Sequence, residues 1–510
     1  MIFFIICKIL QVFVVCFMPE NLKTPGVYIV EKDSGANAVV QVATAVPVFI
    51  GYTERASVNG KSFHMKPIMV SSLSEYEIFF GGAPKPVFTV EESNDNVDVN
   101  INGIDYALKQ SDKSQFYLYN SLKLFFDNGG SDCYIISIGQ YGDNLDELEI
   151  NPDVFKKAID LLEGEEMPTM LLMPDSLLLN EEDSSYYSVQ TYALQHCAEH
   201  MDKVALFDIW GANAEQPLGT DKNKYVTRFR ENIGLDFLSY GAAYYPWVKT
   251  SIITMNNINY SFFDLESLKQ IVGDKFQTVL DNLIKADNDK EKKYWDGGLN
   301  ACPEYKLLKK TIADKLSVLP AAPAMAGLYT RTDRAQGVWI APANKNLNSV
   351  IAPTVRVTHK EQENLNVDAI SGKSINAIRA FRGRGSAIVW GARTLAGNSV
   401  EWKYINVRRL FILIEQSIKN AAFSVVFKPN VPITWSVVKA TINNFLTNLW
   451  RQGALVGGSP AEAFTVGCGL GETMSQNDIN DGIMRIRVQA APSRPAEFIV
   501  ISFEQKMGEA

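Results

Sequence analysis

QFYLYNSLKLFFDNGGSDCYIISI, residues 115–138, joins an amphipathic run to an apolar one across a pair of glycines. Phe116 to Asn128 carries apolar residues at helical spacing and is closed by Gly129-Gly130, residues suited to a helix end. Cys133 to Ile138 (CYIISI) is almost wholly apolar, the pattern of a strand buried on both faces. Downstream the alternation continues, with helices expected over Val154 to Leu162, Ser184 to His200 and Tyr225 to Asn232. Strands are expected over Met170 to Pro174, Val204 to Trp210 and Tyr240 to Trp247. Strands alternating with helices of this length predict an α/β fold whose largely parallel sheet is covered on both faces. Upstream, Ala43 to Tyr52 (ATAVPVFIGY) reads as another buried strand, and Ser74 to Phe80 as a short helix stopped by Gly81-Gly82.

Outside this region the pattern changes. Residues 91 to 115 are polar and turn-rich, with strand-like residues at Val97 to Ile104, and read as a surface insertion. Residues 260 to 320 read as mainly helical, with a charged surface at Asp287 to Lys293; the proline-rich LPAAPA at Leu319 to Ala324 reads as the exit into a second body. In that body Ser386 to Trp390 and Arg408 to Ile414 flank a strand-to-helix passage. Trp435 to Gln452 is a long amphipathic helix with Val438, Ile442, Phe445, Leu446 and Leu449 on one stripe and Lys439, Asn443 and Arg451 off it. Strands at Ala463 to Cys468, Gly482 to Ala490 and Phe498 to Phe503 close the chain.

The two ends carry strand-like segments without a neighbouring hairpin partner: Thr24 to Val30 (TPGVYIV) and Arg494 to Glu504 (RPAEFIVISFE). Their backbone N–H and C=O groups need a ladder, and the open sheet edge of another copy supplies one by β-augmentation. That predicts a polymer. The first seventeen residues, MIFFIICKILQVFVVCF, are apolar, but Lys8 interrupts them, no basic residue precedes the run and no A-x-A-like site follows. They read as a start codon assigned upstream of Met18, with a cleaved or anchoring leader as the alternative.

With 510 residues, 46% apolar and 21% charged, the chain has an ordinary globular composition and room for several cores. Its six cysteines (Cys7, Cys16, Cys133, Cys197, Cys302, Cys468) show no paired spacing and read as free thiols. The net charge of −8 is uneven: residues 141–200 hold 14 acids against two lysines, whereas residues 371–410 hold eight basic residues against Glu401 alone. Such runs are solvated faces or partner-facing surfaces.

Enzyme motifs are sparse. His196 to His200 (HCAEH) matches the H-x-x-E-H spacing of inverted zinc peptidases, but no third ligand pairing follows it; a metal-dependent hydrolase on the α/β domain rests on this motif alone. The glycine-rich FRGRGSAIVWG at Phe381 to Gly391 lacks the third glycine of a dinucleotide loop and leads into a strand instead of a helix. The basic cluster around it has few interleaved aromatics and sits in an acidic protein, which argues against nucleic acid. No catalytic, cofactor-binding or metal residue is assigned.

Several stretches in one order then resemble the contractile tail sheath protein family: KTPGVYIVE (Lys23 to Glu31), VPVFIGYTERA (Val46 to Ala56), GVWIAPANKNLNSV (Gly337 to Val350), SINAIRAFRGRGSAIVWGARTLAG (Ser374 to Gly397), VRRLFILIEQSIK (Val407 to Lys419), FLTNLWRQGALVG (Phe445 to Gly457) and RPAEFIVISF (Arg494 to Phe503). The resemblance is nearest to the sheaths of phage-tail-like contractile injection systems. It implies a structural subunit without enzymatic activity or cofactor, polymerised as stacked hexameric rings around an inner tube that contraction drives through a target envelope. It implies an N-terminal arm at 18–35, outer α/β domains at 36–330 with an insertion near 84–115, a core domain at 331–493 facing the tube, and a C-terminal arm at 494–510. The core sheet would be mixed and completed by terminal strands of neighbouring subunits, through Thr24, Gly26, Val27, Tyr28, Ile29 and Val30 at one end and Glu497, Phe498, Ile499, Val500, Ile501 and Phe503 at the other. Contacts to the tube or to neighbouring cores are expected from Arg379, Arg408, Arg409, Lys439 and Arg451. The implied partners are further copies of the chain, an inner tube protein, baseplate and terminator or cap proteins and paralogous sheath subunits, with neither nucleic acid nor direct membrane insertion. Assembly is expected in the cytoplasm, and the particle is expected to be phage-tail-like.

Overall fold

A computed structural model describes residues 39–498 of the chain, apart from 96, 111–114, 143–147, 149 and 214–223. Among these the largest sheet has nine strands: β1 (Pro47–Thr53), β2 (Ile68–Val70), β3 (Cys133–Gln140), β4 (Met170–Leu172), β5 (Val204–Asp208), β6 (Gly241–Tyr245), β7 (Lys345–Asn346), β8 (Asn376–Phe381) and β9 (Gly385–Trp390), in the spatial order β7-β9-β8-β6-β5-β4-β1-β3-β2. The six strands from β3 through β8 in that order run parallel, and β2, β9 and β7 add antiparallel edges. Every residue of β1 is buried, as its uninterrupted apolar run requires in a sheet covered on both faces.

The flanking helices are α1 (Leu73–Phe80), α2 (Leu118–Asp127), α3 (Pro152–Asp160), α4 (Ser185–His200), α5 (Lys224–Asn232) and α6 (Ala322–Gln336). At the end of α2, Gly129 takes φ +100°, and the Gly130 N–H donates to Phe125 O while the Gly129 N–H donates to Phe126 O, both at 3.0 Å. This is the left-handed closure that the glycine pair announces. Buried Asp175 ties the start of α2 to the sheet, accepting from the N–H groups of Tyr117 (2.6 Å), Leu118 (3.2 Å) and Tyr52 (2.7 Å).

Two expectations about domain layout give way. The LPAAPA segment does not leave the body: Pro323 opens α6, whose small residues Ala322, Ala324, Ala326 and Gly327 are buried in the main core. A proline in the first turn loses no helical hydrogen bond, and small side chains let α6 approach α2 closely. The division expected at residue 330 is likewise crossed by the sheet, because β7, β8 and β9 lie beyond it and pair in the same ladder. The supposed insertion is also more than surface. Its strands Phe88–Glu92, Val99–Ile101 and Ile104–Gln110 form an antiparallel sheet packed against the helices Asp274–Lys285, Asp289–Leu299 and Pro303–Leu316. Phe88, Val90, Leu108, Leu280, Tyr305 and Ile312 give this lobe a core of its own.

The C-terminal body is built on α7 (Ile405–Phe423) and α8 (Pro432–Arg451). Val438, Ile442, Phe445, Leu446 and Leu449, the stripe read from the sequence, pack with Leu410, Leu413 and Ile414 of α7. Ile405 and Ile412 of α7 belong instead to the main core, so this helix is shared between both bodies. All four described cysteines are buried and unpaired. Among the described residues no helix is long and apolar enough to cross a membrane.

Candidate assembly interface

The C-terminal body ends in a ladder of two strands, β10 (Phe464–Gly467) and β11 (Arg487–Ala490), antiparallel with Phe464 opposite Ala490 and Gly467 opposite Arg487. Among the described residues neither strand has a second neighbour. A two-stranded ladder in water is marginal and offers unpaired backbone along both edges. The chain enters the described structure beside this body, with Val39 and Val42 packed on its core and the Val42 N–H donating to Ser417 Oγ at 3.2 Å. It leaves from the same body, since β11 leads directly into residues 491–498. The chain thus enters beside the C-terminal body and leaves it directly after the ladder.

Of the residues expected to exchange strands, Thr24, Gly26, Val27, Tyr28, Ile29, Val30, Ile499, Val500, Ile501 and Phe503 lie outside the described residues. Glu497 differs from expectation: its carboxylate is held inside its own subunit. It accepts from Arg393 Nε at 2.9 and 3.2 Å, from Arg393 Nη2 at 2.5 Å and from Tyr404 Oη at 3.2 Å. The carboxylate raises the Arg393 pKa above its ordinary value, and burial raises that of Tyr404. Phe498, one residue on, is 73% exposed. Ala496 and Phe498 line a groove of about 780 Å³ together with Val367, Trp390 and Ala343.

The basic cluster is largely internal, which corrects its expected role at the surface. Arg408 is buried between two rings, its guanidinium 3.5 Å from the Trp402 centroid and 4.3 Å from that of Tyr240, and burial lowers its pKa. Arg409 is also buried, paired with Asp333 at 2.6 and 3.1 Å, donating to Thr44 O at 2.8 Å and stacked over Tyr329. Arg379 is half-buried, donating to Val357 O at 3.0 Å and to Gln362 Oε1 at 2.5 Å. A buried guanidinium needs acceptors or ring faces, and these residues find theirs within the subunit. Lys439, beside Glu472 at 3.4 Å, and exposed Arg451 do reach the surface of α8. Sequence reasoning missed an apolar tip where α7 passes into α8: Phe423, Val426, Phe427, Ile433 and Val437 are all exposed. The run FSVVFKPNVPI, residues 423–433, was its visible signal.

The HCAEH pair lies in α4 with its two rings adjacent. His196 is buried, its ring centroid 4.4 Å from that of His200, and its pKa is lowered to about 3 by burial, Lys203 and His200. Among the described residues no group of three or more His, Cys, Asp or Glu side chains is placed to hold a metal ion. The FRGRG segment is the β8–β9 hairpin, with Arg384 stacked on Trp390 and Phe381.

Residues 398–506 match the family model of the phage tail sheath C-terminal domain. The tail sheath protein of Vibrio phage KVP40 is 29% identical over 205 residues, 39% of this chain and 28% of that protein. The tail sheath protein of Enterobacteria phage T4 is 25% identical over 240 residues, 46% of this chain and 35% of that protein. The matched stretches thus span about a third of these relatives. Among solved structures, the helical sheath of the anti-feeding prophage in the contracted state is similar at TM-score 0.58 and 29% identity, over 94% of this chain and 99% of that one. The contracted sheath complex of PVC, an extracellular contractile injection system, is similar at TM-score 0.59 and 26% identity, over 95% and 98% of the two chains. A chain of the anti-feeding prophage baseplate gives 0.58 and 28%, over 95% and 99%.

Proposed function

We propose that the chain is a member of the contractile tail sheath family, the repeating subunit of a sheath that polymerises as stacked rings around an inner tube and contracts to drive the tube through a target envelope. Its role is structural, not enzymatic. The observation that carries this reading is the two-stranded ladder β10–β11, which has no further strand among the described residues and leads directly into the C-terminal segment. The sequences TPGVYIV at 24–30 and FIVISF at 498–503 have the β-branched and aromatic composition that ladder edges accept. Each ladder hydrogen bond contributes about 0.5 to 1.5 kcal/mol net, and these sum along a donated strand.

Contacts that run head to tail without closing generate a helical array, and two packings of one subunit give it two lengths. Strands exchanged between copies keep the lattice connected while the subunit bodies rotate. The C-terminal body faces the tube through α8, with Lys439, Arg451 and the apolar tip at Phe427 as contacts. The acidic segment 141–200 and the lobe built from residues 88–110 and 258–313 point outward. Assembly starts from a baseplate in the cytoplasm, and cap proteins complete the particle. Negative-stain microscopy of the full chain tests the polymer: striated hollow cylinders are expected, and a monomer that stays dispersed at every concentration overturns it.

A further inference from the structure

Leaving β11, the C-terminal segment first bonds to its own body, the Ala491 N–H donating to Ala463 O and the Ser493 N–H to Ala454 O, both at 2.9 Å. By residue 497 the contact has passed to the nine-stranded sheet. Arg393, three residues beyond β9, is fixed from several directions before it meets Glu497. Its N–H donates to Asn376 Oδ1 at 2.8 Å and its Nη1 to Asn366 O at 3.1 Å. Asn376 in β8 donates in turn to Arg393 O at 2.8 Å and to Ala243 O of β6 at 3.2 Å. The ion pair is enclosed, with side-chain exposures of 6% for Arg393 and 16% for Glu497, unlike the solvent pair Lys293–Asp289 at 72% and 75%. Enclosed, forked pairs of this type set geometry, whereas solvent pairs fix little. The enclosure then stops abruptly, for Phe498 is 73% exposed.

We infer that Arg393, Tyr404 and Glu497 form an anchor that fixes the root of the C-terminal arm on its own subunit, so that donation begins at residue 498 and tension on the arm enters the nine-stranded sheet through Arg393 and Asn376. This rests on the strand-donation reading above and adds three positioning residues to it. An arm rooted at 497 has no slack before residue 498; one released back to Ser493 gains a tether of four residues, 494–497. A longer, undirected tether lowers the effective concentration of the strand at the neighbouring edge and transmits pull poorly.

The test uses the full chain with Glu497→Ala, Glu497→Gln, Tyr404→Phe and a truncation lacking residues 499–510, read by hydrogen exchange of residues 491–498 in unassembled subunits and by polymer length. Glu497→Ala is expected to lose protection over 491–498 and to shorten polymers about tenfold, with Tyr404→Phe and Glu497→Gln in between because each keeps part of the hydrogen bonding. The truncation is expected to keep protection of 491–498 while abolishing polymers. If Glu497→Ala keeps both its protection and wild-type polymer length, the anchor is overturned. If the truncated chain polymerises normally, strand donation fails instead, and the exchange data still decide whether the anchor exists. Should Glu497→Ala not fold, Tyr404→Phe and Glu497→Gln decide by the same two readouts, with unchanged protection and length overturning the anchor.

Discussion

Two buried aspartates contribute to how this fold responds to pH. Asp208 accepts from the N–H groups of Ala321 (2.6 Å) and Ala322 (2.9 Å) at the start of α6, and Asp175 serves α2 in the same way. Burial pushes their pKa values up, to about 7 for Asp208 and about 6 for Asp175, although the N–H donors pull the other way. The folded values lie above the ordinary 3.8, so the folded chain keeps protons that the unfolded chain has already released. The stability they contribute is present in full below about pH 4 and is lost as pH rises towards 7. Asp208→Asn keeps an acceptor for both N–H groups and removes the titration. Its melting temperature is expected to match the wild type near pH 4 and to exceed it increasingly towards pH 8. Equal destabilisation at both values would mean that the helix N-terminus depends on the negative charge.

At the level of elements, α2 and α6 approach each other closely at Gly327. A Cβ added at Gly327 would lie 2.3 Å from Phe125 O, a backbone atom that cannot turn aside. Gly327→Ala is therefore expected to cost about 1 to 3 kcal/mol, seen as a lower denaturation midpoint, despite alanine's better helix propensity. A rise in the midpoint would show that the two helices can separate. The sheet and its helices were legible because long apolar runs and glycine stops report burial and chain reversal directly, as Cys133 to Ile138 and Gly129-Gly130 do. The α8 stripe was legible for the same reason. Orientation was not. A count of basic residues cannot tell that Arg408 lies between Trp402 and Tyr240 or that Arg409 pairs with Asp333, because these partners are distant or off the local pattern. Nor could spacing show that residues 88–110 share a core with helices some two hundred residues later. The anchor at Glu497 was hidden similarly, since Arg393 is 104 residues away.

For the whole particle, the surface proposed to meet the tube is narrower than the charge count implied. With Arg408 and Arg409 internal, Lys439 and Arg451 are the basic residues of the expected set left on α8. Charge reversal at both is expected to slow sheath growth on tubes at low salt, with the difference shrinking as salt rises, while the subunit keeps its melting temperature. Unchanged growth at every ionic strength would move the tube contact elsewhere, with the exposed Phe427 tip as the next surface to alter. Tube-independent polymerisation should survive the same reversal, because it is assigned to strand exchange at β10–β11.

A cryo-electron microscopy reconstruction of the assembled sheath, at a resolution that traces side chains, decides whether each subunit is completed by others. The ladder of β10 and β11 is predicted to gain further strands whose chains lead back to neighbouring copies, with residues 24–30 and 498–503 identifiable in them. A ladder that stays two-stranded in the polymer, or whose added strands trace to the same chain, would contradict it.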